Sequence, residues 1–326
     1  MSRSPGSVVR RGAAVSAAAM AVPSQVVSNG PIAARIGVEE SWIRSRTGIR
    51  ERRIAAPHER VADFAADAVR GTLATAGCDP ASIDVLFVAT MTAEDITPNV
   101  APVVAGRAGL TSAFCADVGA ACTGWLTALQ SAVSQVEAGR VERALVVGAD
   151  LLSRVTDPDD RATAALFADG AGAVLVQACE GESRVGPVVL GTDPTGASWF
   201  YARRPENVIR MRGRETFAAA VDSLVGATRA AIEAADLELD DIDLFAYHQG
   251  NLRIIKAVGE RLCLPPERVA VCIDRFGNTS AATIPMALAD AERSGKLNRD
   301  DKVLLGAFGA GLTWGAAVLD WGVPDG

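Results

Sequence analysis

Cys122 is the residue of this chain whose setting best suits nucleophilic chemistry. It lies in the segment Ala-Ala-Cys-Thr-Gly-Trp, where an apolar, strand-like run at 113–118 gives way to a helical pattern from 123 to about 136. Such a position directs the free N–H groups and the positive dipole end of the helix at the sulfur, which favours the thiolate. We therefore expect Cys122 to be a covalent nucleophile.

A cysteine nucleophile usually works with an imidazole, and the chain contains only two histidines. His248 ends an apolar strand pattern, at the sheet edge where binding groups of α/β proteins collect, whereas His58 lies in a polar loop. Asn278 follows a glycine ahead of a second helical pattern. We expect Cys122, His248 and Asn278 to form one site. The alternatives are a structural histidine and a helix-capping asparagine.

The order Cys, His, Asn also occurs in papain-like cysteine hydrolases. The local sequence typical of that class, Cys-Gly-Ser/Ala-Cys-Trp/Tyr, is absent, and Cys122 lies in the middle of the chain. The repeated α/β pattern of the chain does not suit that fold. A cysteine hydrolase is therefore the weaker alternative.

The composition is that of a folded, acidic protein. The 326 residues are 49% hydrophobic and carry a formal net charge of −7, with a pI of about 5.1. Nucleic acid is not expected as a main partner, because binding to phosphates needs a basic face. No run reaches the roughly 18 apolar residues of a membrane span, so no membrane contact is expected.

Two features bear on the compartment. The weakly apolar stretch 12–22 follows two arginines, as in a secretory signal, but it is interrupted by Ser16 and no convincing cleavage site follows. It predicts a first strand instead. The six cysteines show no Cys-x-x-Cys pair and no metal-ligand spacing, so we expect a reduced, cytoplasmic protein without a metal.

An internal repeat at about 157 residues organises the chain. Residues 73–84 match 232–243, residues 123–148 match 279–306, and glycine-rich, hairpin-like segments follow at 169–176 and 308–315. Alternating strands and helices predict mainly parallel, buried sheets covered by helices. We expect an α/β fold, a five-layer α/β/α/β/α sandwich built from two duplicated halves, with domains at 1–180 and 181–326.

Two glycine-containing regions need separate interpretation. The Gly-Ala-Gly segments do not form a dinucleotide-binding fingerprint, because a third glycine at the required spacing is missing. The segment 191–213 breaks the periodic pattern and holds aromatic residues and arginines. It predicts a long surface loop that covers a pocket.

Seven segments resemble the β-ketoacyl-acyl carrier protein synthase III family, within the thiolase-like superfamily. They are SWIRSRTGIRERR at 41–53, ACTGW at 121–125, DRAT at 160–163, DGAGA at 169–173, HQGNLRII at 248–255, GNTSAA at 277–282 and FGAGLTWG at 308–315. The matches extend from about residue 9 to 321 in the family's order. The resemblance implies the thiolase fold, a homodimer and a catalytic site formed by Cys122, His248 and Asn278.

The resemblance also implies a mechanism without a cofactor, in which the CoA thioester is a substrate. Cys122 would take an acyl group from acyl-CoA, with the oxyanion held by the backbone N–H groups of Cys122 and Ala310, before condensation with malonyl-acyl carrier protein. The implied partners are acyl-CoA and acyl carrier protein. Arg253 is the implied contact for the carrier protein. The residues implied in CoA binding are Trp42, Arg46, Thr47, Arg161 and Asn251.

Departures from the family pattern concern the acyl pocket. Trp125 replaces a usual Phe, and Thr97 stands where members that use short primers carry a Phe that reaches the partner's pocket. We therefore expect a primer longer or bulkier than acetyl. The residues implied in lining this pocket are Thr97, Trp125, Phe167 and Phe217.

Two other functions stay open. In the first, the acyl group passes from Cys122 to an alcohol or amine of a natural product. Its only support is the altered surroundings of the site, with Tyr247 and Gly250 where the family usually has Pro and Ala. In the second, the chain is a non-enzymatic dimeric partner of another synthase, which the presence of all three site residues disfavours.

Overall fold

The structure of the protein is a computed structural model that describes residues 11–324. Its elements are numbered in chain order. The strands are β1 (Arg11–Ala21), β2 (Val26–Ser28), β3 (Glu51–Arg53), β4 (Val85–Ala89), β5 (Phe114–Val118), β6 (Arg143–Leu151), β7 (Asp169–Glu180), β8 (Val189–Thr192), β9 (Phe200–Arg203), β10 (Val208–Met211), β11 (Leu244–Tyr247), β12 (Lys302–Gly309) and β13 (Thr313–Asp320). The helices are α1 (Asn29–Ile36), α2 (Glu40–Thr47), α3 (Val61–Ala76), α4 (Val100–Ala108), α5 (Gly124–Glu137), α6 (Gly213–Ala234), α7 (Leu252–Leu262), α8 (Ile273–Phe276) and α9 (Thr283–Arg293).

Most of the strands belong to two mixed sheets. The first has the order β1-β7-β6-β4-β5, and the second has the order β11-β12-β13-β8. Strand β4 is parallel to both β5 and β6, and β11 is parallel to β12. The other pairs in these two sheets are antiparallel. The sheets are thus less parallel than expected, because each half ends in strands that reverse direction, β6 to β7 and β12 to β13.

Five layers stack as the sequence predicts. Helices α3 and α4 cover the outer face of the first sheet, α5 and α9 lie between the sheets, and α6 and α7 cover the second sheet. Strands such as β4 are apolar on both faces because helices pack on both sides. In the central layer, Leu129 of α5 and Leu288 of α9 belong to one buried cluster with side chains from both sheets.

The two halves share their topology, as the repeat predicts. Strands β4, β6 and β7 correspond in order to β11, β12 and β13. In the first half, Asp84 donates its N–H to Arg143 O and accepts from Arg143 N, both at 3.0 Å. In the second half, Asp243 makes the same two contacts with Lys302, at 2.9 and 2.8 Å. The same pair of bonds thus joins equivalent strands in each half.

Three segments can be compared with their predictions. The stretch 12–22 forms most of β1, as expected. The segment 191–213 is not a long loop, because β9 and β10 pair as a hairpin within it. The segment 169–176 is not hairpin-like either: it lies within β7, which pairs with β1 and β6. A Cβ at Gly172 would lie 2.7 Å from the backbone nitrogen of Met286, so this glycine lets α9 approach the sheet.

The predicted domain boundary between 180 and 181 stays a prediction. The first sheet takes its strands from residues 11–180 and the second from residues 189–320. Residues 1–10 and 325–326 of the two predicted domains lie outside the described part of the chain.

Within residues 11–324, no helix is long and apolar enough to cross a membrane. The same residues contain no group of three or more His, Cys, Asp or Glu side chains that could hold a metal ion.

Candidate active site

Cys122 lies in a short 3₁₀ turn, Ala121–Thr123, directly before α5. Ala121 opens this turn with a φ of 46°, a left-handed conformation that costs a non-glycine residue roughly 1–2 kcal/mol. The equivalent turn before α9 opens with Ser280, whose φ is 52°. The two turns meet between the sheets, so that the Ser280 hydroxyl lies 3.6 Å from the Cys122 sulfur.

The sulfur is held as a thiol in the resting protein. Cys122 is 5% exposed, and this burial raises the pKa of its thiol to about 12. The charge of Asp150 raises the pKa further, while hydrogen bonds from Ser280 and from the Cys122 backbone lower it. Desolvation of the buried sulfur thus opposes the thiolate that the position before the helix favours. Cys122 needs a base to act as a nucleophile at neutral pH.

Asp150 is a fully buried carboxylate beside this turn. It accepts hydrogen bonds from Met91 N at 2.8 Å, Thr92 Oγ1 at 3.0 Å and Ala281 N at 3.4 Å. Burial nevertheless raises the pKa of Asp150 to about 6. The carboxylate thus ties the chain after β4 to the turn that carries Ser280.

His248 follows β11 and is 8% exposed. Its Nδ1 lies 2.5 Å from the hydroxyl oxygen of Thr283, the first residue of α9. Its Nε2 lies on the opposite side of the ring, where a Cβ on Gly250 would stand only 2.8 Å away. Burial lowers the pKa of His248 to about 4, so the imidazole is neutral near pH 7. A neutral imidazole has one nitrogen that donates and one that accepts.

Asn278 presents a fixed amide to the same space. Its Oδ1 accepts from Ser280 N at 2.9 Å, so Nδ2 occupies the other side of the amide, 3.5 Å from Gly250 O. The backbone of Asn278 is held to residues 166–168 by two hydrogen bonds. The site therefore offers a thiol, an imidazole and an amide N–H donor from three different chain segments.

A cavity of about 520 Å³ connects this site to the surface. Its buried end is lined by Cys122, His248 and Asn278, the three residues expected to form one site. Ala310, the predicted second oxyanion donor, lines a small apolar cavity next to Cys122. It follows Gly309, where a Cβ would lie 3.0 Å from the Cys122 nitrogen. The end of β12 thus packs directly against the nucleophile.

The mouth of the cavity collects the residues predicted to bind CoA and the carrier protein. Arg161 is fixed there, because it donates to Ile36 O at 2.7 Å and to Gly37 O at 2.9 Å. Arg46 lies 5.9 Å from the ring centre of Trp42. All six residues predicted to contact CoA or the carrier protein line the cavity: Trp42, Arg46, Thr47, Arg161, Asn251 and Arg253.

The predicted acyl-pocket residues divide into two groups. Phe167 and Phe217 line the large cavity, and Phe167 also lines the small one. Trp125 lines neither: it is fully buried in the central layer, where its indole N–H donates to Val146 O at 3.2 Å. That position corrects the prediction, because the inward face of α5 packs on β6 and not on the cavity. Thr97 is exposed and also lines neither cavity, so its place in an acyl pocket stays a prediction.

Several site residues were not found from the sequence. Thr283 and Ser280 contact His248 and Cys122 only through tertiary packing, and no local motif marks them. Asp150 lies near the end of β6, and no motif in the sequence distinguishes it from other carboxylates at strand ends. Other cavity residues that the sequence did not indicate include Phe200, Met211, Arg214 and Thr216.

Comparisons with known proteins identify the family of this chain. The family profile "3-Oxoacyl-[acyl-carrier-protein (ACP)] synthase III" matches residues 116–194, and the profile of the C-terminal part of that family matches residues 232–321. A β-ketoacyl-[acyl-carrier-protein] synthase III from Acidiphilium cryptum (strain JF-5) is 42% identical over 311 residues, which cover 91% of this chain and 96% of that protein. The chain belongs to the β-ketoacyl-acyl carrier protein synthase III family.

Solved structures of synthase III proteins confirm the thiolase-like fold. The synthase III from Thermus thermophilus is 45% identical, with a TM-score of 0.91, covering 95% of this chain and 100% of that one. The priming β-ketosynthase from the R1128 polyketide biosynthetic pathway is 36% identical, with a TM-score of 0.92 and 99% of each chain covered. A further relative, found by sequence and not by structure, is the β-ketoacyl-[acyl-carrier-protein] synthase III 2 of Streptomyces coelicolor. It is 41% identical over 315 residues, which cover 96% of this chain and 94% of that protein.

Proposed function

We propose that this synthase III-like enzyme loads an acyl group from acyl-CoA onto Cys122 and condenses it with malonyl-acyl carrier protein. The product is a β-ketoacyl-acyl carrier protein that primes fatty acid or polyketide synthesis, and no cofactor takes part. The observation that carries the proposal is a single cavity with Cys122, His248 and Asn278 at its buried end and arginines at its mouth. We also infer that the enzyme works in the cytoplasm.

In the loading step, the imidazole of His248 accepts the proton of the Cys122 thiol, and the sulfur attacks the thioester carbonyl carbon of acyl-CoA. The backbone N–H groups of Cys122 and Ala310 hold the resulting oxyanion. When the bond from carbon to the CoA sulfur breaks, that sulfur takes the proton from His248. CoA leaves as a thiol, and the acyl group stays on Cys122.

In the condensation step, malonyl-acyl carrier protein enters the same cavity and loses CO₂. The thioester oxygen becomes an enolate oxygen, which hydrogen bonds from Asn278 and His248 stabilise. The enolate carbon attacks the acyl-cysteine carbonyl, the bond to Cys122 breaks, and β-ketoacyl-acyl carrier protein leaves. The related proteins are named as a β-ketoacyl-[acyl-carrier-protein] synthase III and a priming β-ketosynthase, which supports this step over acyl transfer to an alcohol or amine.

Substrate binding follows from the mouth of the cavity. A flat aromatic ring at Trp42 and a fixed guanidinium at Arg161 suit the two faces of the CoA adenine. Arg46, Thr47 and Asn251 line the same cavity. Their hydrogen-bonding groups suit the phosphates and the pantetheine arm. We assign the contact with the acidic carrier protein to exposed Arg253, whose guanidinium lies 5.3 Å from the ring centre of Phe217.

A homodimer is the second part of this proposal. Strand β5 lies at the edge of the first sheet and pairs only with β4 among the described strands. Phe114 on this strand is 66% exposed, and Ile96 in the segment before α4 is 83% exposed. An open strand edge next to large apolar side chains favours pairing with another chain. Thr97, at the position where members that use short primers carry a Phe that reaches the partner's pocket, belongs to the same exposed segment.

The primer is proposed to be short. The apolar cavity beside Cys122 holds about 20 Å³, which is room for little more than one water-sized group. That space suits the methyl group of an acetyl primer. The longer primer expected from the sequence loses one of its supports, because Trp125 is buried in the core and does not widen the pocket.

The proposal is tested by mixing the purified enzyme with acetyl-CoA and malonyl-acyl carrier protein and measuring CO₂ release together with the mass of the carrier-bound product. A β-ketoacyl-carrier formed in step with CO₂ supports condensation. Acyl transfer to an added alcohol or amine without CO₂ release would support the acyltransferase instead. Cys122→Ala is the control that must abolish either product.

A further inference from the structure

Asp150 is a fully buried carboxylate for which the proposed reaction has no step. No Lys, Arg or His side chain within residues 11–324 forms a salt bridge with it. Burying a charge without a partner is costly, so the carboxylate depends on hydrogen-bond donors. The origin of those donors indicates what Asp150 does.

The donors to Asp150 come from two chain segments. Its Oδ1 accepts from Thr90 Oγ1 at 3.1 Å, from Met91 N at 2.8 Å and from Thr92 Oγ1 at 3.0 Å, and its Oδ2 accepts from Ala281 N at 3.4 Å. The directions of the bonds from Met91 and Ala281 are fixed, because a backbone N–H can only donate and an ionised carboxylate can only accept. Asp150 therefore joins the segment after β4 to the turn before α9.

Both segments carry lining residues of the small apolar cavity next to Cys122. Met91 lines this cavity, and Asp150 holds it through its own N–H. Ser280 lines the cavity as well, and the same carboxylate holds the N–H of the next residue, Ala281. One buried side chain thus fixes the backbone at two places in the cavity wall.

A third part of the wall belongs to the same network. Thr92 donates to Asp150 and accepts, at 2.9 Å, from the backbone N–H of the residue that precedes Leu152, which also lines the cavity. The turn before α9 lies directly on β6, since a Cβ at Gly148 would stand only 2.2 Å from the carbonyl oxygen of Ala281. Such close packing leaves the turn little room to move while the carboxylate holds it.

We propose that Asp150 is a positioning residue that fixes the wall of the small cavity and so limits the length of the primer that Cys122 accepts. The proposal rests on the proposed function, because it specifies the substrate of the same site. Asp150 lines neither cavity and acts only through the backbone that it holds. An asparagine has the same shape, but its NH₂ group cannot accept from N–H or O–H donors. The substitution would leave at least one donor unpaired and release part of the wall.

The test compares the rates at which acetyl-CoA and hexanoyl-CoA acylate Cys122, measured by intact-mass spectrometry. For Asp150→Asn, we expect the ratio of the acetyl rate to the hexanoyl rate to fall about tenfold, as when a buried donor loses its partner. A loss of folded enzyme, or a change in the reactivity of the sulfur, alters both rates alike and cancels in the ratio. An unchanged ratio would overturn the proposal.

Two threonine variants separate this network from the general effect of losing a buried hydroxyl. Thr92→Val keeps the charge of Asp150 but removes one donor to it, so the ratio should fall about threefold. Thr72→Val is the matched control: Thr72 is also fully buried, but its hydroxyl oxygen lies 3.0 Å from Ala68 O and 3.1 Å from Ala173 O, and none of these residues lines either cavity. Its ratio should equal that of the wild type. A fall as large as that of Thr92→Val would overturn the proposal.

Amide hydrogen exchange shows whether the proposal or the function beneath it has failed. In Asp150→Asn, exchange at Met91 and Ala281 should be faster than in the wild type, whatever the enzyme catalyses. Faster exchange with an unchanged ratio would leave Asp150 a structural residue and refute its role in selectivity. A wild-type protein that no acyl-CoA acylates would overturn the proposed function and the selectivity role with it, while the exchange rates would still show whether Asp150 holds the two segments.

Discussion

The hydroxyl oxygen of Ser280 lies 3.6 Å from the sulfur of Cys122, and each residue belongs to the turn that opens a central helix of its own half. Both turns begin with a non-glycine residue of positive φ, Ala121 and Ser280. Duplication thus brings two strained turns together between the sheets. One turn supplies the nucleophile, and the other supplies a hydroxyl that stabilises its charged form.

Ser280→Ala removes this hydroxyl and should slow alkylation of Cys122 by iodoacetamide at pH 8. We expect a fall of about 3- to 10-fold, since a hydrogen bond of this kind contributes about 1 kcal/mol. Ser280→Gly is the matched control, because it lacks the hydroxyl but relieves the positive φ and should be the more stable variant. Unchanged alkylation in both variants would show that Ser280 does not stabilise the thiolate.

The pH dependence of alkylation tests the buried thiol. Because burial raises the pKa of Cys122 to about 12, the thiolate fraction should rise about tenfold for each pH unit between pH 6 and 9. The rate of Cys122 alkylation, followed by peptide mass spectrometry, should rise in parallel without a plateau. A rate that is already constant below pH 7 would mean that a thiolate–imidazolium pair exists at rest, contrary to the pKa of about 4 for His248.

Thr216 carries a hydroxyl that is buried in the cavity wall and has no hydrogen-bond partner within residues 11–324. We predict that it binds an amide of the pantetheine arm, which CoA and the carrier protein share. Thr216→Val should raise KM for both acyl-CoA and malonyl-acyl carrier protein by about fivefold. The same change should raise Tm, because it removes an unsatisfied buried polar group. Thr216→Ser should keep both KM values near those of the wild type. If Thr216→Val leaves both KM values unchanged, the contact with the pantetheine arm is excluded.

The small acyl cavity predicts the order of primers. The wild-type enzyme should be acylated faster by acetyl-CoA than by hexanoyl-CoA, because the small apolar cavity next to Cys122 holds only about 20 Å³. Phe200 forms part of that wall and belongs to the β9–β10 hairpin, so Phe200→Ala should enlarge the cavity and shift the preference to longer chains. Kinetics with both acyl-CoA esters measure this directly. Faster loading of hexanoyl-CoA by wild type would restore the longer primer expected from the sequence.

Much of the layered fold could be predicted from the sequence, and so could the three residues that the structure brings together in the candidate site. The apolar strands and the repeat predict the layers because both arise from local patterns of residues. Cys122, His248 and Asn278 stand out because each follows a strand or turn at the start of a new element. The chemistry of these residues depends on the side chains that pack around them in the folded protein. The sequence alone therefore does not indicate the raised pKa of Cys122.

The remaining errors also have tertiary causes. Trp125 lies one turn from the nucleophile in sequence, yet its side of α5 faces β6 and not the cavity. The segment around Phe200 lacks a periodic pattern because its short hairpin packs against the site and not into a main sheet. Thr283 meets His248 only because α9 begins beside the end of β11.

The central claim is that Cys122 carries the acyl group and passes it to a malonyl unit. Its most direct test is intact-mass spectrometry of the protein incubated with acetyl-CoA and then with malonyl-acyl carrier protein, alongside Cys122→Ala. We predict one acetyl group on the wild-type chain and none on the variant, with loss of that group when malonyl-acyl carrier protein is added and β-ketoacyl-carrier appears. An adduct that survives in Cys122→Ala, or one that malonyl-acyl carrier protein leaves in place, would contradict the account.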